Sequence, residues 1–190
     1  WLCLHRLSEA GIDVPPTLCC QTRSAAINAF EILGGDVLVK PIFGGEGRGI
    51  LRGTDKDMAW RGFGTLQQLG QVLYVQQFID HFGYDVRVLF VGEHQFCIRR
   101  IASHGGWRTN IAQGSAAEPH TLTGPQQEDA LPAKQVVGGS VVGVALFPCS
   151  DGRLVVLEVN AVPGWKGLGA ALKVDIARHI LDHVCGLHRT

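Results

Sequence analysis

No excess charge of either sign marks this chain: 17 basic residues stand against 17 acidic ones. That balance gives no electrostatic reason to coat nucleic acid or to lie on an anionic membrane surface. No long uninterrupted apolar run occurs, although 46% of the residues are hydrophobic. A spanning helix, which needs about 20 apolar residues in a row, is therefore excluded, and a soluble globular core is expected. The six cysteines (Cys3, Cys19, Cys20, Cys97, Cys149 and Cys185) include no Cys-x-x-Cys pair, so neither a zinc knuckle nor a thiol redox motif is expected. Most sit among apolar neighbours and read as small buried hydrophobes, which fits a reducing, cytoplasmic compartment. There is no internal repeat, no low-complexity segment, and no basic stretch followed by an apolar one, so no signal peptide is visible. The chain does not begin with Met. It starts directly in a helical pattern, WLCLHRLSEAG, and is expected to be a fragment or a chain whose beginning was not resolved.

At 190 residues the chain is long enough to bury a real core in one or two compact units. Its most telling stretch is LVVLEVNAVPGW at residues 154–165. Glu158 and Asn160 lie two apart in an apolar strand and point to one face, while Leu157 and Val159 point to the other. A carboxylate beside a carboxamide offers the hard oxygens that Mg²⁺ carrying nucleotide phosphates takes. Upstream, VLVKPIFGGEGRGI sets Lys40 at the end of a hydrophobic strand, just before a glycine-rich loop. Nucleotide chemistry at a metal is one reading; a chance Glu-x-Asn in a sheet with a glycine-rich turn is the other.

The rest of the chain alternates helices and strands. Residues 2–10 read as a helix ended by Gly11, and two prolines then lead into a short strand. Residues 24–33 read as a helix capped by Ser24, followed by strands at 37–41 and 50–52 and a helix at 55–69 that Gly62 and Gly64 weaken. A strand at 72–79 precedes a hairpin, 84–92 with 94–102, turning at Gly92-Glu93. Residues 103–119 read as one long loop, of a length that inside a compact domain tends to be functional. Residues 126–137 read as a helix interrupted by Pro132. A second hairpin spans 140–160, and a helix at 176–184 closes the chain. His179 and His183 share a face of that helix; amphipathic packing is the preferred reading over a metal. Paired antiparallel hairpins among helices indicate α+β.

In their order, these motifs give the chain a resemblance to the ATP-grasp superfamily, and within it to the RimK-like carboxylate–amine ligases, which add glutamate to an acceptor. VLVKPIFGGEGRGI, VQQFI with YDVRV, RRIASHGGWRTN, LEVNAVPGW and VDIA carry the resemblance, which runs from about Gly11 to His183. It implies an ATP-grasp fold, two subdomains with antiparallel sheets clasping a nucleotide. Residues 1–22 would connect from an absent N-terminal domain, 23–82 would form the small subdomain with the glycine-rich lid, and 83–190 the large one with the metal and phosphate site.

By the same resemblance Lys40 grips phosphates, and Gly44, Gly45, Gly47 and Gly49 let the loop fold over them with backbone N–H groups as anion donors. Gln77, Phe78 and Ile79 form the hinge that holds adenine through the backbone, and Asp85 binds ribose. Arg87, Arg100, Arg108 and Asn110 line the phosphate and acyl-phosphate site, and Glu158 and Asn160 ligate the metal. The implied cofactors are ATP and Mg²⁺, with Mn²⁺ an alternative. The implied partners are an amino acid, glutamate by resemblance, and a carboxylate acceptor that is a protein tail or a small molecule. A homo-oligomer is compatible with this; nucleic acid and membrane are not implied.

The chain also departs from the pattern. Ala145 stands where the family carries a metal-binding aspartate, on a strand where counting from the turn sets it opposite Glu158. Gln77 replaces a usual glutamate, Gln113 a frequent arginine, and Lys166 an acid. The family's preceding domain and second nucleotide-gripping lysine would lie ahead of Trp1. These departures leave a second expectation open, a nucleotide-binding module with weakened catalysis.

Overall fold

A computed structural model describes residues 1–42, 47–103, 106–111 and 114–187. The chain divides into two compact units: Pro15–Asp80 together with Trp1, and His81–Thr190 together with Leu2–Val14.

The first unit is a four-stranded antiparallel sheet in the order β1-β4-β2-β3, with β1 Thr17–Cys20, β2 Val37–Lys40, β3 Leu51–Gly53 and β4 Leu73–Gln77. Helices α2 (Arg23–Ile32) and α3 (Lys56–Gln68) supply the other side of its core. Phe30 and Leu33 pack with Phe63, Val37, Val39, Leu73 and Val75, all buried. Each such side chain contributes about 1.5–3 kcal/mol over its exposed state, which outweighs the poor helix propensity of Gly62 and Gly64 in α3. The cap of α2 is Thr22, not Ser24: its hydroxyl accepts the Ala25 N–H at 3.2 Å. That bond satisfies one of the amides the first turn leaves over, so the helix begins one residue earlier than expected. Asp55 caps α3 in the same way, accepting from Met58 N at 2.8 Å.

The second unit is a five-stranded antiparallel sheet in the order β7-β6-β5-β8-β9. Its strands are β5 Tyr84–Val91, β6 His94–Ile101, β7 Ala116–Pro119, β8 Val141–Pro148 and β9 Leu154–Asn160. Both expected hairpins are present, β5 with β6 and β8 with β9. Helix α4 (Gly124–Val137) lies against β8 and β9, and α1 (Leu2–Glu9) against β9 and α4. Leu2–Val14 is tied to this unit by Val156 N donating to Asp13 O at 2.8 Å. Helices α5 (Lys166–Leu172) and α6 (Ile176–Leu187) cover the opposite side, where Leu168 and Ile176 pack on Leu89, Val91 and Ile98.

The structure departs from four local expectations. Helix α4 runs unbroken through Pro132. Proline removes one N–H from the ladder, and the helix survives because Ala130 and Ala133 on either side are fully buried. At its start Gln126 accepts from Thr123 N at 3.1 Å, so the helix begins ahead of Gln126. Residues 103–119 are not one loop, since β7 pairs with β6 along Ile98–Ile101. Its AAEP sequence carries little β propensity, and Pro119 is tolerated because the strand is at a sheet edge. Helix α5 was also not expected, because two glycines in seven residues hide it; burial of Leu168 holds it in place.

Candidate nucleotide and phosphate sites

In the first unit, Lys40 ends β2 and sends its Nζ to the Oε1 of Gln76 on β4, at 2.5 Å. Gln76 is fully buried, and its Nε2 donates to Thr17 Oγ1 at 2.8 Å, which in turn donates to Pro15 O at 2.8 Å. Among the described residues, a relay of uncharged groups across three strands thus reaches the lysine head. A polar amide inside an apolar strand is costly unless every bond is made, so Gln76 is as deliberate a feature as Lys40. Sequence reading passed over it in favour of its neighbour; on β4 it shares a face with Tyr74, opposite buried Leu73 and Val75, so the alternation gave no signal for it.

The glycine turn follows. Gly47 and Gly49 have φ of 74° and 73°, a region that favours glycine, and a Cβ on Gly49 would come within 3.3 Å of Pro41 Cγ. Gly44 and Gly45 lie outside the described residues, as does Gln113.

At the hinge, Gln77 N donates to Pro16 O and Phe78 N to Asp36 O, each at 2.9 Å. Gln77 Nε2 reaches Leu33 O at 3.3 Å. Two of the three expected hinge amides are therefore committed inside the unit. The Ile79 N–H has no partner among the described residues.

In the second unit, strand register sets the remaining candidates in rows on one face of the sheet. Glu158 faces Ala145, Ala145 faces Arg87, and Arg87 faces Ile98. One step along, Asn160 faces Gly143; one step the other way, Asp85 faces Arg100. The position of Ala145 opposite Glu158 is as counted from the turn, although the hairpin carries a bulge between Ala145 and Leu146.

Arg87 is 7% exposed and donates from Nη1 to Glu158 Oε1 at 3.0 Å. Burial pushes its guanidinium below the ordinary arginine value, opposed by the Glu158 carboxylate. Gly143 makes room for it: a Cβ there would lie 2.7 Å from Arg87 Nη2 and 2.8 Å from Pro163 Cβ. A glycine inside an otherwise β-branched strand marks such a close approach, and Gly143 was not singled out from sequence.

Asp85 is fully buried. Arg100 grips it with Nε and Nη2 at 2.7 and 2.6 Å, and Thr109 Oγ1 donates to Oδ2 at 2.5 Å. Both carboxylate oxygens are occupied and none of the side chain is exposed, so the expected contact with ribose is not available to it in this arrangement. Of the adjacent arginines, Arg100 is on this face, while Arg99 pairs with Glu118 and lies over Tyr84, 5.1 Å from the ring centroid. Along residues 107–110 exposure alternates: Arg108 is exposed and stacks 4.2 Å from the Trp107 centroid, Thr109 is buried, and Asn110 is half-buried. The structure joins Thr109, but neither Arg108 nor Asn110, to the Asp85–Arg100 cluster by a hydrogen bond.

The oxygen donors expected for a metal are Glu158, whose side chain is 54% exposed, and Asn160, whose Oδ1 accepts from Val162 N at 2.9 Å. Among the described residues no group of three His, Cys, Asp or Glu side chains is arranged to hold a metal ion. Glu158 keeps one carboxylate oxygen clear of Arg87, so this donor set fits a hard cation only if most of its ligands come from phosphate oxygens and water. No helix among the described residues is long and apolar enough to cross a membrane.

The RimK-like ATP-grasp domain family matches residues 1–184. The chain belongs to this family. It is 33% identical over 184 residues to a probable alpha-L-glutamate ligase of Rhodopirellula baltica, covering 95% of this chain and 45% of that protein. It is 29% identical over 208 residues to the tetrahydromethanopterin:alpha-L-glutamate ligase of Methanosarcina acetivorans, covering 95% of this chain and 64% of that one. The chain thus spans about half to two thirds of the length of these relatives. Among solved structures, the ATP-grasp ligase PsnB, complexed with a phosphomimetic variant of its minimal precursor, Mg and ADP, superposes with a TM-score of 0.73 at 23% identity. That match covers 96% of this chain and 56% of PsnB, and it establishes the ATP-grasp fold, two antiparallel sheets with helices, as the α+β class expected from sequence.

Proposed function

We propose that this RimK-like ATP-grasp chain is the nucleotide-binding and catalytic part of an ATP-dependent carboxylate–amine ligase. The observation that carries the reading is the Lys40 ammonium, held by buried Gln76 at the end of β2, with the left-handed glycines Gly47 and Gly49 farther along the same connection. The two glutamate ligases it is similar to favour glutamate as the amine.

In the proposed reaction a carboxylate oxygen of the acceptor attacks the γ-phosphorus of ATP, and the bond to the β-bridging oxygen breaks, giving an acyl phosphate and ADP. The amine of the amino acid then attacks the acyl carbon and expels phosphate, losing a proton. Such transfers depend mainly on positioning and charge neutralisation. Lys40 and the amides of the glycine turn would orient phosphates, and Ile79 N–H would meet the base edge. Arg87 and Arg100, pre-oriented by Glu158 and Asp85, would face developing negative charge, with Arg108 and Asn110 on the acyl-phosphate side. Asp85 is given the role of holding Arg100 in place of its expected ribose contact. Glu158 and Asn160 would hold Mg²⁺, or Mn²⁺ in its stead, which when bound offsets phosphate charge.

ATP with Mg²⁺ should raise the melting temperature, because a ligand that binds only the folded state stabilises it by mass action. Lys40→Ala should remove most of that shift, and ADP should be released when glutamate and a suitable carboxylate are supplied. An unchanged ATP response in Lys40→Ala would sink the phosphate assignment. Ala145 favours a second reading, a module that binds nucleotide with weakened turnover, since it leaves Glu158 without a carboxylate across the hairpin. ATP-dependent stabilisation without ADP release over a panel of amino acids and acceptors would select it.

A further inference from the structure

Arg52 on β3 makes three contacts that converge on the hinge. Its Nε and Nη2 donate to the two carboxylate oxygens of Asp36, at 2.8 and 2.6 Å. The face of its guanidinium lies over the Phe78 ring, 3.4 Å from the centroid. Asp36 closes the loop from the other side, its backbone carbonyl accepting the Phe78 N–H at 2.9 Å. The guanidinium sits above the ordinary arginine value, chiefly through the Asp36 hydrogen bonds, with Asp80 adding to it. It therefore stays a cation, and its plane is fixed at once by edge and by face. A planar fork that pairs and stacks together is something lysine cannot reproduce.

A partly exposed ion pair such as Arg52–Asp36 contributes little to folding stability. What this one does is geometric. It ties the strand leaving the glycine turn to Phe78, one residue before the Ile79 N–H, which has no partner among the described residues. We infer that Arg52 is a positioning residue for base recognition, setting the aim of the peptide between Phe78 and Ile79 toward the base of a bound nucleoside triphosphate. The inference rests on the nucleotide reading above. Asp36 is the second member of the clamp and Phe78 the surface on which it acts.

The quantity that isolates this role is the ratio of the dissociation constant for inorganic triphosphate to that for ATP, each with Mg²⁺, because the two probes differ by the nucleoside. Measured by calorimetry on the 190-residue chain, the ratio should exceed one in the wild type. It should fall about three- to tenfold in Arg52→Gln, the size of a lost cation–π contact amplified by misaim of one hydrogen bond. Arg52→Lys, which keeps the charge, should fall less and serves if Arg52→Gln does not fold. Triphosphate affinity itself should not move in either variant. Equal weakening of both probes, or an unchanged ratio, overturns the positioning role while leaving the nucleotide reading intact. Failure of wild-type protein to bind ATP, or binding of ATP no tighter than triphosphate, overturns the base contact and this inference with it.

Discussion

In the first unit the Lys40 ammonium is fixed by the side-chain amide of Gln76, an uncharged group. In the second, Arg87 and Arg100 are fixed by the carboxylates of Glu158 and Asp85. The amide aims the ammonium and adds no negative charge of its own. The carboxylates aim their guanidinium groups and cancel them at the same time. Two arginines and two acids on one sheet face leave that cluster near neutrality, and burial of Arg87 and Asp85 makes each dependent on its partner. The amide anchor is therefore a matter of direction, and the carboxylate anchors are a matter of both direction and charge. The two units should respond very differently to loss of an anchor.

The largest effect is expected at Asp85. Asp85→Ala leaves Arg100, only 13% exposed in its side chain, without a counter-charge and Thr109 without an acceptor. Breaking a buried pair from one side costs about 3–5 kcal/mol. Urea unfolding of the two proteins should show a loss of that size. A loss below about 1 kcal/mol, the worth of an exposed ion pair, would mean that Arg100 finds water and that the cluster is not charge-locked.

Gln76 tests the other side of the comparison. Gln76→Met keeps the volume and removes the relay to Lys40 and Thr17. Thr17 keeps its bond to Pro15 O, so stability should fall by about 1–2 kcal/mol, the net value of the two hydrogen bonds lost. ATP affinity should fall more than stability does, because the aim of Lys40 is lost while its charge remains. A stability loss as large as that of Asp85→Ala would erase the distinction between a directing anchor and a neutralising one.

These anchors also divide what was legible in the sequence from what was not. Lys40, Glu158 and Asn160 could be placed because each stands at a strand end or at one phase of an alternation. Both hairpins, and the facing of Ala145 and Glu158, followed from counting along strands from a turn. Gln76, Thr109 and Gly143 could not be placed that way. Their roles exist only across strands: Gln76 serves a lysine on β2, Thr109 an aspartate on β5, and Gly143 an arginine on β5. Asp85 was given a ribose role by resemblance, and only the structure brings Arg100 and Thr109 onto both of its carboxylate oxygens. Strand β7 and helix α5 escaped because alanine and glycine carry no periodic pattern, and neighbours rather than propensity hold them.

The smallest effect concerns a carboxylate that lacks what Asp85 has. Asp129 on α4 has no cationic partner among the described residues, and its carboxyl is pushed above the ordinary value of 3.8 by burial first, then by Asp13 and Glu128. A carboxyl whose folded-state value is raised takes up a proton more readily folded than unfolded. Its contribution to stability is therefore fully present below 3.8 and is lost as the pH rises through the raised folded value. At pH 7 Asp129 is thus a cost, and Asp129→Asn should raise the melting temperature. The half-exposed position screens the charges, so the gain should not exceed about 2–4 °C, the shift that 1 kcal/mol gives a chain of this length. The gain should shrink as melts are taken from pH 7 down through the raised folded value, as the wild-type acid protonates. A gain that stays constant over that range would assign it to helix propensity, and a loss at pH 7 would show that Asp129 has a partner after all, making it a second Asp85 and not its opposite.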